Sequence, residues 1–162
     1  MTLAVFFYKV DDGRLCAWRA NRPRQKPFLG STMASGRDLP HDLAQFVVES
    51  TLGLRHGFWN LLASGASFKS VPGRRRTKPG LRLVADNKDA LNVVEGIVNA
   101  HVSAWRAGTP TPVGDALDRM YARWQALAPG EELRVEWTSD RLPGPDRDRR
   151  RPRSRPPASR NG

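Results

Sequence analysis

Six basic side chains and no acidic one lie between Lys69 and Arg82 of this chain. A Pro-Gly pair stands on each side of the densest part of this segment. Such pairs are typical of turns, and packed interiors do not accept unpaired guanidinium groups. We therefore expect an exposed cationic loop that contacts phosphate, whose oxygens arginine binds in bidentate fashion. The candidate polyanion-binding residues are Arg74, Arg75, Arg76, Lys78 and Arg82.

The partner that this chemistry predicts is nucleic acid or an acidic protein. A nucleic-acid site of this kind would depend steeply on salt, because each neutralised phosphate releases condensed counterions. We expect four further basic residues to extend the surface, namely Arg19, Arg22, Arg24 and Lys26. The alternative is a solvated loop that binds nothing specific, since runs of charge are commonly plain surface.

A second group of residues has the types needed for catalysis. His41, Asp42 and Glu49 fall within one expected helix, where His41, Gln45 and Glu49 project at successive turns. A histidine and a carboxylate on one stripe could exchange protons or share a metal ion. However, two turns separate His41 from Glu49 by about 12 Å along the axis, too far for one metal without other ligands. The alternative is a solvated polar face of the helix.

The remaining histidines and the single cysteine give no recognisable site. We expect His101 to be a core histidine bonded to a carbonyl or hydroxyl group, and His56 to lie at a helix start. Cys16 falls in an expected strand and has no second cysteine to pair with, which suits the reducing cytoplasm. The sequence lacks the glycine-rich and paired-cysteine motifs of phosphate loops, dinucleotide sites and zinc sites. We therefore expect no cofactor and no metal ion.

The composition divides the chain at residue 138. After that point the sequence holds eight Arg, five Pro and three Asp but almost no core-forming residues. Such a segment cannot bury enough apolar surface to offset its chain entropy. We therefore expect a globular domain over 1–138 and a disordered, Arg/Pro-rich basic tail over 139–162. The net charge of +11 is spread over both parts.

The elements that must position these residues follow from hydrophobic spacing and from turn and cap residues. Residues 2–10 and 14–19 predict a β-hairpin around Asp12-Gly13, and residues 21–37 predict a loop. Segments 68–71 and 81–84 flank the basic cluster and could pair as strands of a hairpin arm. Helices are predicted over 40–52, 56–63, 88–106 and from Thr111-Pro112 to Pro129-Gly130, and a last strand over 133–137.

The order of these elements predicts an α+β fold: a small antiparallel sheet, made of the N-terminal hairpin and the C-terminal strand, covered by about four helices. No apolar stretch is long enough to cross a membrane, and the first residues do not resemble a signal peptide. The favoured function is a cytoplasmic, non-enzymatic basic binding module. The alternatives are a protein-interaction module that uses Phe58-Trp59 or the Tyr121–Trp124 helix face, and a hydrolase or metal-dependent enzyme that uses His41 and Glu49.

Overall fold

The computed structural model describes residues 2–24, 26–71 and 76–139, which form five strands and five helices. The strands are β1 (Thr2–Val10), β2 (Leu15–Asn21), β3 (Phe28–Leu29), β4 (Met33–Ala34) and β5 (Glu132–Thr138). The helices are α1 (His41–Leu52), α2 (Phe58–Ala63), α3 (Lys78–Asp86), α4 (Lys88–Arg106) and α5 (Gly114–Ala126). The predicted α+β class, with a small antiparallel sheet and helices, is confirmed.

The sheet is antiparallel throughout, in the order β3-β2-β1-β5, and β4 also pairs with β2. Strand β1 is central, so that Val5 lies opposite Ala20 on one side and opposite Val135 on the other. The chain ends of the domain therefore meet in the sheet, since the first and last strands are neighbours. The predicted N-terminal hairpin and C-terminal strand are both confirmed.

Side chains alternate along the strands, and one face of the sheet is buried under the helices. Buried positions of β1 and β5 are Leu3, Val5, Phe7, Leu133, Val135 and Trp137. The ring of Phe46 from α1 packs edge-on against Trp137 and Trp59, with 5.4 Å between centroids in each pair. Edge-to-face aromatic contacts of this kind fix the position of α1 and α2 on the sheet.

Four of the helices match the predictions closely. Helix α4 runs from Lys88 to Arg106 as expected, and α1 ends at Gly53, whose φ of 64° is the left-handed conformation that glycine adopts readily. The predicted loop over 21–37 contains the two-residue strands β3 and β4. No described helix is both long and apolar enough to cross a membrane.

The predicted hairpin arm is wrong. Residues 81–84 belong to helix α3, and residues 68–71 form no strand. The reason is local: the Thr77 hydroxyl accepts from the Gly80 N–H at 3.1 Å and caps a helix that has Pro79 in its first turn. The second Pro-Gly pair therefore begins a helix instead of closing a turn. The predicted tail over 139–162, apart from its first residue, and the pair Pro72-Gly73 lie outside the described residues.

Candidate functional site

The described part of the predicted cationic segment forms the start of helix α3. Arg76 precedes the helix, Lys78 is its first residue and Arg82 follows one turn later. All three side chains are exposed. We call these three residues the cationic helix start. The other two candidates, Arg74 and Arg75, lie outside the described residues.

Ion pairing leaves most of this charge available. Among the described residues, no carboxylate forms an ion pair with Arg76 or Lys78. Arg82 lies 3.7 Å from the Asp86 carboxylate, but both side chains are mostly exposed, at 83% and 62%. Exposed ion pairs of this kind are weak, so Arg82 can readily bind another anion in place of Asp86.

The backbone beneath the cationic helix start is held in place by two hydrogen bonds with Ser67 and packs closely against that residue. The Thr77 N–H donates to the Ser67 hydroxyl at 3.3 Å, and the Ser67 N–H donates to the Gly80 carbonyl at 3.1 Å. A side chain at Gly80 would overlap the Ser67 Oγ, which lies only 2.3 Å from the position that a Cβ would take. The cationic side chains thus project from an anchored helical turn, whose N-terminal end adds a partial positive charge.

The expected extension of the basic surface is only partly available. Arg19 forms a bidentate pair with Glu132, at 3.0 and 2.7 Å, and its guanidinium group lies 3.9 Å from the Phe6 ring centroid. Arg22 is buried and donates to the Leu62 carbonyl. Both residues are therefore already engaged in contacts within the fold, which the prediction of an extended patch did not foresee. Arg24 and Lys26 are exposed.

The first catalytic candidates form a polar contact at the start of α1. Asp42 accepts from the buried Trp18 indole N–H at 2.8 Å, and its second oxygen lies 3.3 Å from His41 Nδ1. The hydrogen bond with Asp42 raises the pKa of His41, although partial burial acts in the opposite direction. Asp42 thus positions an indole ring of the core, and His41 is an exposed neighbour of that contact.

Glu49 is fully buried and acts as the cap of helix α2. Its Oε1 accepts from the Phe58 N–H and its Oε2 from the Trp59 N–H, both at 2.9 Å. Gln45 donates to the same carboxylate at 2.7 Å. Burial raises the pKa of Glu49 to about 7, although the hydrogen bonds from Trp59, Gln45 and Phe58 lower it. These contacts favour a structural role.

The interpretation of the His41–Glu49 stripe as a solvated face is therefore wrong for Gln45 and Glu49, which are buried. Gln45 is 3% exposed and donates to Glu95 of α4 at 2.6 Å as well as to Glu49. The amide thus links the Glu49 carboxylate of its own helix to the Glu95 carboxylate of α4. Periodicity identified the stripe correctly, but polarity alone did not reveal that another helix covers it.

The three histidines have separate partners and do not form a common site. His56 Nδ1 lies 2.9 Å from the Asn87 side-chain oxygen, and His101 Nδ1 lies 2.6 Å from the Thr111 hydroxyl. The hydroxyl partner predicted for His101 is therefore present. In residues 2–24, 26–71 and 76–139, no group of three or more His, Cys, Asp or Glu residues could hold a metal ion.

The aromatic residues of the interaction alternative lie mainly inside the protein. Trp59 is fully buried and Trp124 is 3% exposed. Phe58 is half-buried and packs against Trp59 and Phe68, with ring centroids 5.0 and 4.8 Å apart. These rings build the core and offer little surface to a partner in this fold.

Fold and surface together define a small α+β protein with an anchored cationic helix start. No protein-family model matches the chain, and neither a curated protein nor a solved structure is significantly similar to it.

Proposed function

We propose that this protein binds nucleic acid through the cationic helix start. The observation that carries the proposal is the contrast in ion pairing. Arg76 and Lys78 have no carboxylate partner among the described residues, whereas Arg19 and Arg106 form bidentate pairs with carboxylates. Unpaired guanidinium and ammonium groups on an anchored turn can bind phosphate without first breaking an internal contact.

The geometry of α3 supports contact with an extended polyanion. Lys78 and Arg82 are one turn apart, so they project on the same side of the helix about 6 Å apart along its axis. Arg76 is also exposed and lies two residues before the helix begins. Three exposed cations within seven residues of the chain suit contact with more than one phosphate of a strand. The contacts proposed here are with phosphates, which carry no sequence information, so the expected binding depends little on nucleotide sequence.

The experiment is fluorescence anisotropy with labelled duplex DNA, single-stranded DNA and RNA of equal length, titrated with the full chain. The test variant carries Arg76→Gln, Lys78→Gln and Arg82→Gln together. On duplex DNA each phosphate contact contributes about 0.9 to the slope of log K against log salt concentration. We expect the triple variant to reduce that slope by about 2 to 3 and to weaken binding at least tenfold at low salt.

The matched control removes the same charge from a different surface, through Arg14→Gln, Arg119→Gln and Arg123→Gln. These arginines are exposed and lie away from α3 in the chain. Arg14 pairs with Asp11, but that pair is exposed and weak, so the control tests chiefly the loss of net charge. The proposal fails if both triple variants weaken binding equally, or if the wild-type chain binds no nucleic acid at low salt. Equal displacement of the probe by poly-glutamate would identify an acidic protein as the partner instead.

A further inference from the structure

A polar cavity of about 280 Å³ lies between the β1–β2 turn, the loop before α1 and the second half of α5. Its walls include Lys9, Ser35, Arg37, Tyr121, Trp124 and Gln125. This volume lies just below the usual range for ligand pockets, about 300–1,000 Å³, and so suits only a small ligand. The cavity is separate from the cationic helix start, since no residue of α3 lines it.

Ser35 gives the first indication that the cavity is built for a ligand. The residue is 6% exposed, and its hydroxyl group has no hydrogen-bond partner among the described residues. Its backbone is fixed, because the Ser35 N–H donates to the Arg14 carbonyl at 2.9 Å. A buried hydroxyl without a partner is unfavourable. Ser35 is one of the residues that line the cavity, so a group bound there could accept a hydrogen bond from this hydroxyl.

The charges around the cavity give the second indication. Lys9 Nζ donates to the Leu127 carbonyl at 2.8 Å and lies 5.1 Å from the centroid of the Trp124 ring, which leaves it two further protons to donate. Arg37 is exposed, and within the described part of the chain its side chain forms no ion pair. Two cations therefore meet at one opening.

One carboxylate, that of Asp38, lies in the lining of the cavity, and an arginine outside the cavity neutralises its charge. Asp38 accepts two hydrogen bonds from Arg106 of α4, at 2.9 and 2.8 Å, so it does not cancel the charge of Lys9 or Arg37. The Tyr121 hydroxyl accepts from Gln125 and donates to the Arg37 carbonyl at 3.4 Å. This contact ties the loop that carries Arg37 to helix α5.

We propose that this cavity binds a small oxyanion-bearing compound, a carboxylate or a phosphate. Lys9 and Arg37 bind the anionic oxygens, Ser35 donates its hydroxyl proton, and the Trp124 ring forms the apolar floor. The inference does not depend on nucleic-acid binding, because the two sites share no residue.

The test is a titration followed by ¹H–¹⁵N NMR, with inorganic phosphate and with acetate at constant ionic strength and sodium chloride as the control. We expect saturable shifts of the Trp124 indole N–H and the Gly36 amide, and larger effects from the preferred anion. Arg37→Gln should weaken the binding at least tenfold. Arg119→Gln removes an exposed arginine from the same helix as Trp124 but outside the cavity and should leave the binding unchanged.

Ser35→Ala gives an independent readout. It should weaken anion binding several-fold without lowering the midpoint of thermal unfolding, because the hydroxyl has no internal partner to lose. The proposal is overturned if neither anion gives saturable shifts at the cavity, or if Arg37→Gln and Arg119→Gln bind equally. It is also overturned if phosphate shifts only the amides of α3, a result that would still support nucleic-acid binding.

Discussion

The carboxylate of Glu49 in α1 accepts the backbone N–H of Trp59 in α2 at 2.9 Å, so one helix caps another. Helix α2 has only six residues, and its N-cap Gly57 has no side chain to accept those first N–H groups. Isolated helices of this length are not stable in water. Glu49 therefore supplies the acceptors that allow α2, with Trp59 at the centre of the core, to form at all.

Replacement of Glu49 should destabilise the protein strongly. In Glu49→Ala the N–H groups of Phe58 and Trp59 lose their acceptor inside the protein, at roughly 1–3 kcal/mol for each buried unsatisfied group. We expect the free energy of unfolding to fall by about 3 kcal/mol, measured by urea denaturation with circular dichroism.

The neighbouring residue Ser50 provides the control for this change. It lies on the same helix turn as Glu49 but is exposed, so Ser50→Ala should alter stability by no more than about 0.5 kcal/mol. Equal stabilities of Glu49→Ala and Ser50→Ala would contradict the capping role.

The raised pKa of Glu49 predicts a specific dependence of stability on pH. Burial raises the folded-state pKa from 4.5 to about 7, so the folded protein holds this proton more tightly than the unfolded chain does. The stability that this pKa shift gives the folded protein is fully present below pH 4.5 and is lost as the pH rises to about 7. The loss is about 3 kcal/mol at most, from 1.36 kcal/mol per pKa unit.

Glu49→Gln isolates this contribution, because glutamine has a similar shape but does not titrate. The free energy of unfolding of wild type minus that of Glu49→Gln should decrease between pH 5 and pH 8, measured by denaturation at each pH. A constant difference over that range would mean that Glu49 titrates near its ordinary pKa. His41 also has a raised pKa, but its contribution is the same in both proteins and cancels.

The sequence predicted elements well where local signals agreed. For α4, helical spacing of apolar residues coincided with Asn87 before Lys88 and Gly108 after Arg106, and the observed helix has the predicted bounds. For α3 the signals conflicted, because Pro79-Gly80 is typical of a turn. The Thr77 cap that begins α3 is a local feature, but the close approach of Gly80 to Ser67, which holds this helix start in place, joins segments thirteen residues apart and is not visible in a local pattern.

In the candidate site, too, the exposure of the cations could be predicted from the sequence, whereas contacts between distant elements could not. Exposure of Arg76, Lys78 and Arg82 follows from composition alone, and the structure places all three at the surface. The role of Glu49 depends on α2 packing beside α1, and the bidentate pair of Arg19 with Glu132 depends on β5 closing the sheet. Neither contact has a signal in the sequence around the residue concerned.

Cys16 should be unreactive in the folded protein. The side chain is fully buried, and burial, with a smaller contribution from the charge of Asp42, raises the thiol pKa to about 12. At pH 8 the thiolate fraction is then about 10⁻⁴, and thiolate is the form that reacts with disulfide reagents. We expect Ellman's reagent to label the native protein far more slowly than the protein in 6 M guanidinium chloride. Labelling at equal rates in the two conditions would show that the strand opens readily.

Replacement by alanine should have opposite effects on stability at Gly80 and at Gly96, two glycines that lie in helices. In Gly80→Ala the new Cβ would lie 2.3 Å from the Ser67 Oγ and 2.7 Å from the Gly65 carbonyl oxygen, so the start of α3 must move away. In Gly96→Ala, in the middle of α4, the Cβ meets no atom within 4 Å. Alanine there should stabilise the protein by about 0.5–1 kcal/mol, because it restricts the unfolded chain and favours the helix.

We expect Gly80→Ala to destabilise the protein by about 1–3 kcal/mol, the usual cost of forcing extra volume into a packed contact. Thermal and urea unfolding of the two variants measure this difference directly. Gly80→Ala should also weaken nucleic-acid binding, because Lys78 and Arg82 lose their anchored turn while keeping their charge, whereas Gly96→Ala should bind like wild type. A Gly80→Ala protein as stable as Gly96→Ala would mean that α3 does not rest on Ser67, and the anchored arrangement of the cationic helix start would then be wrong.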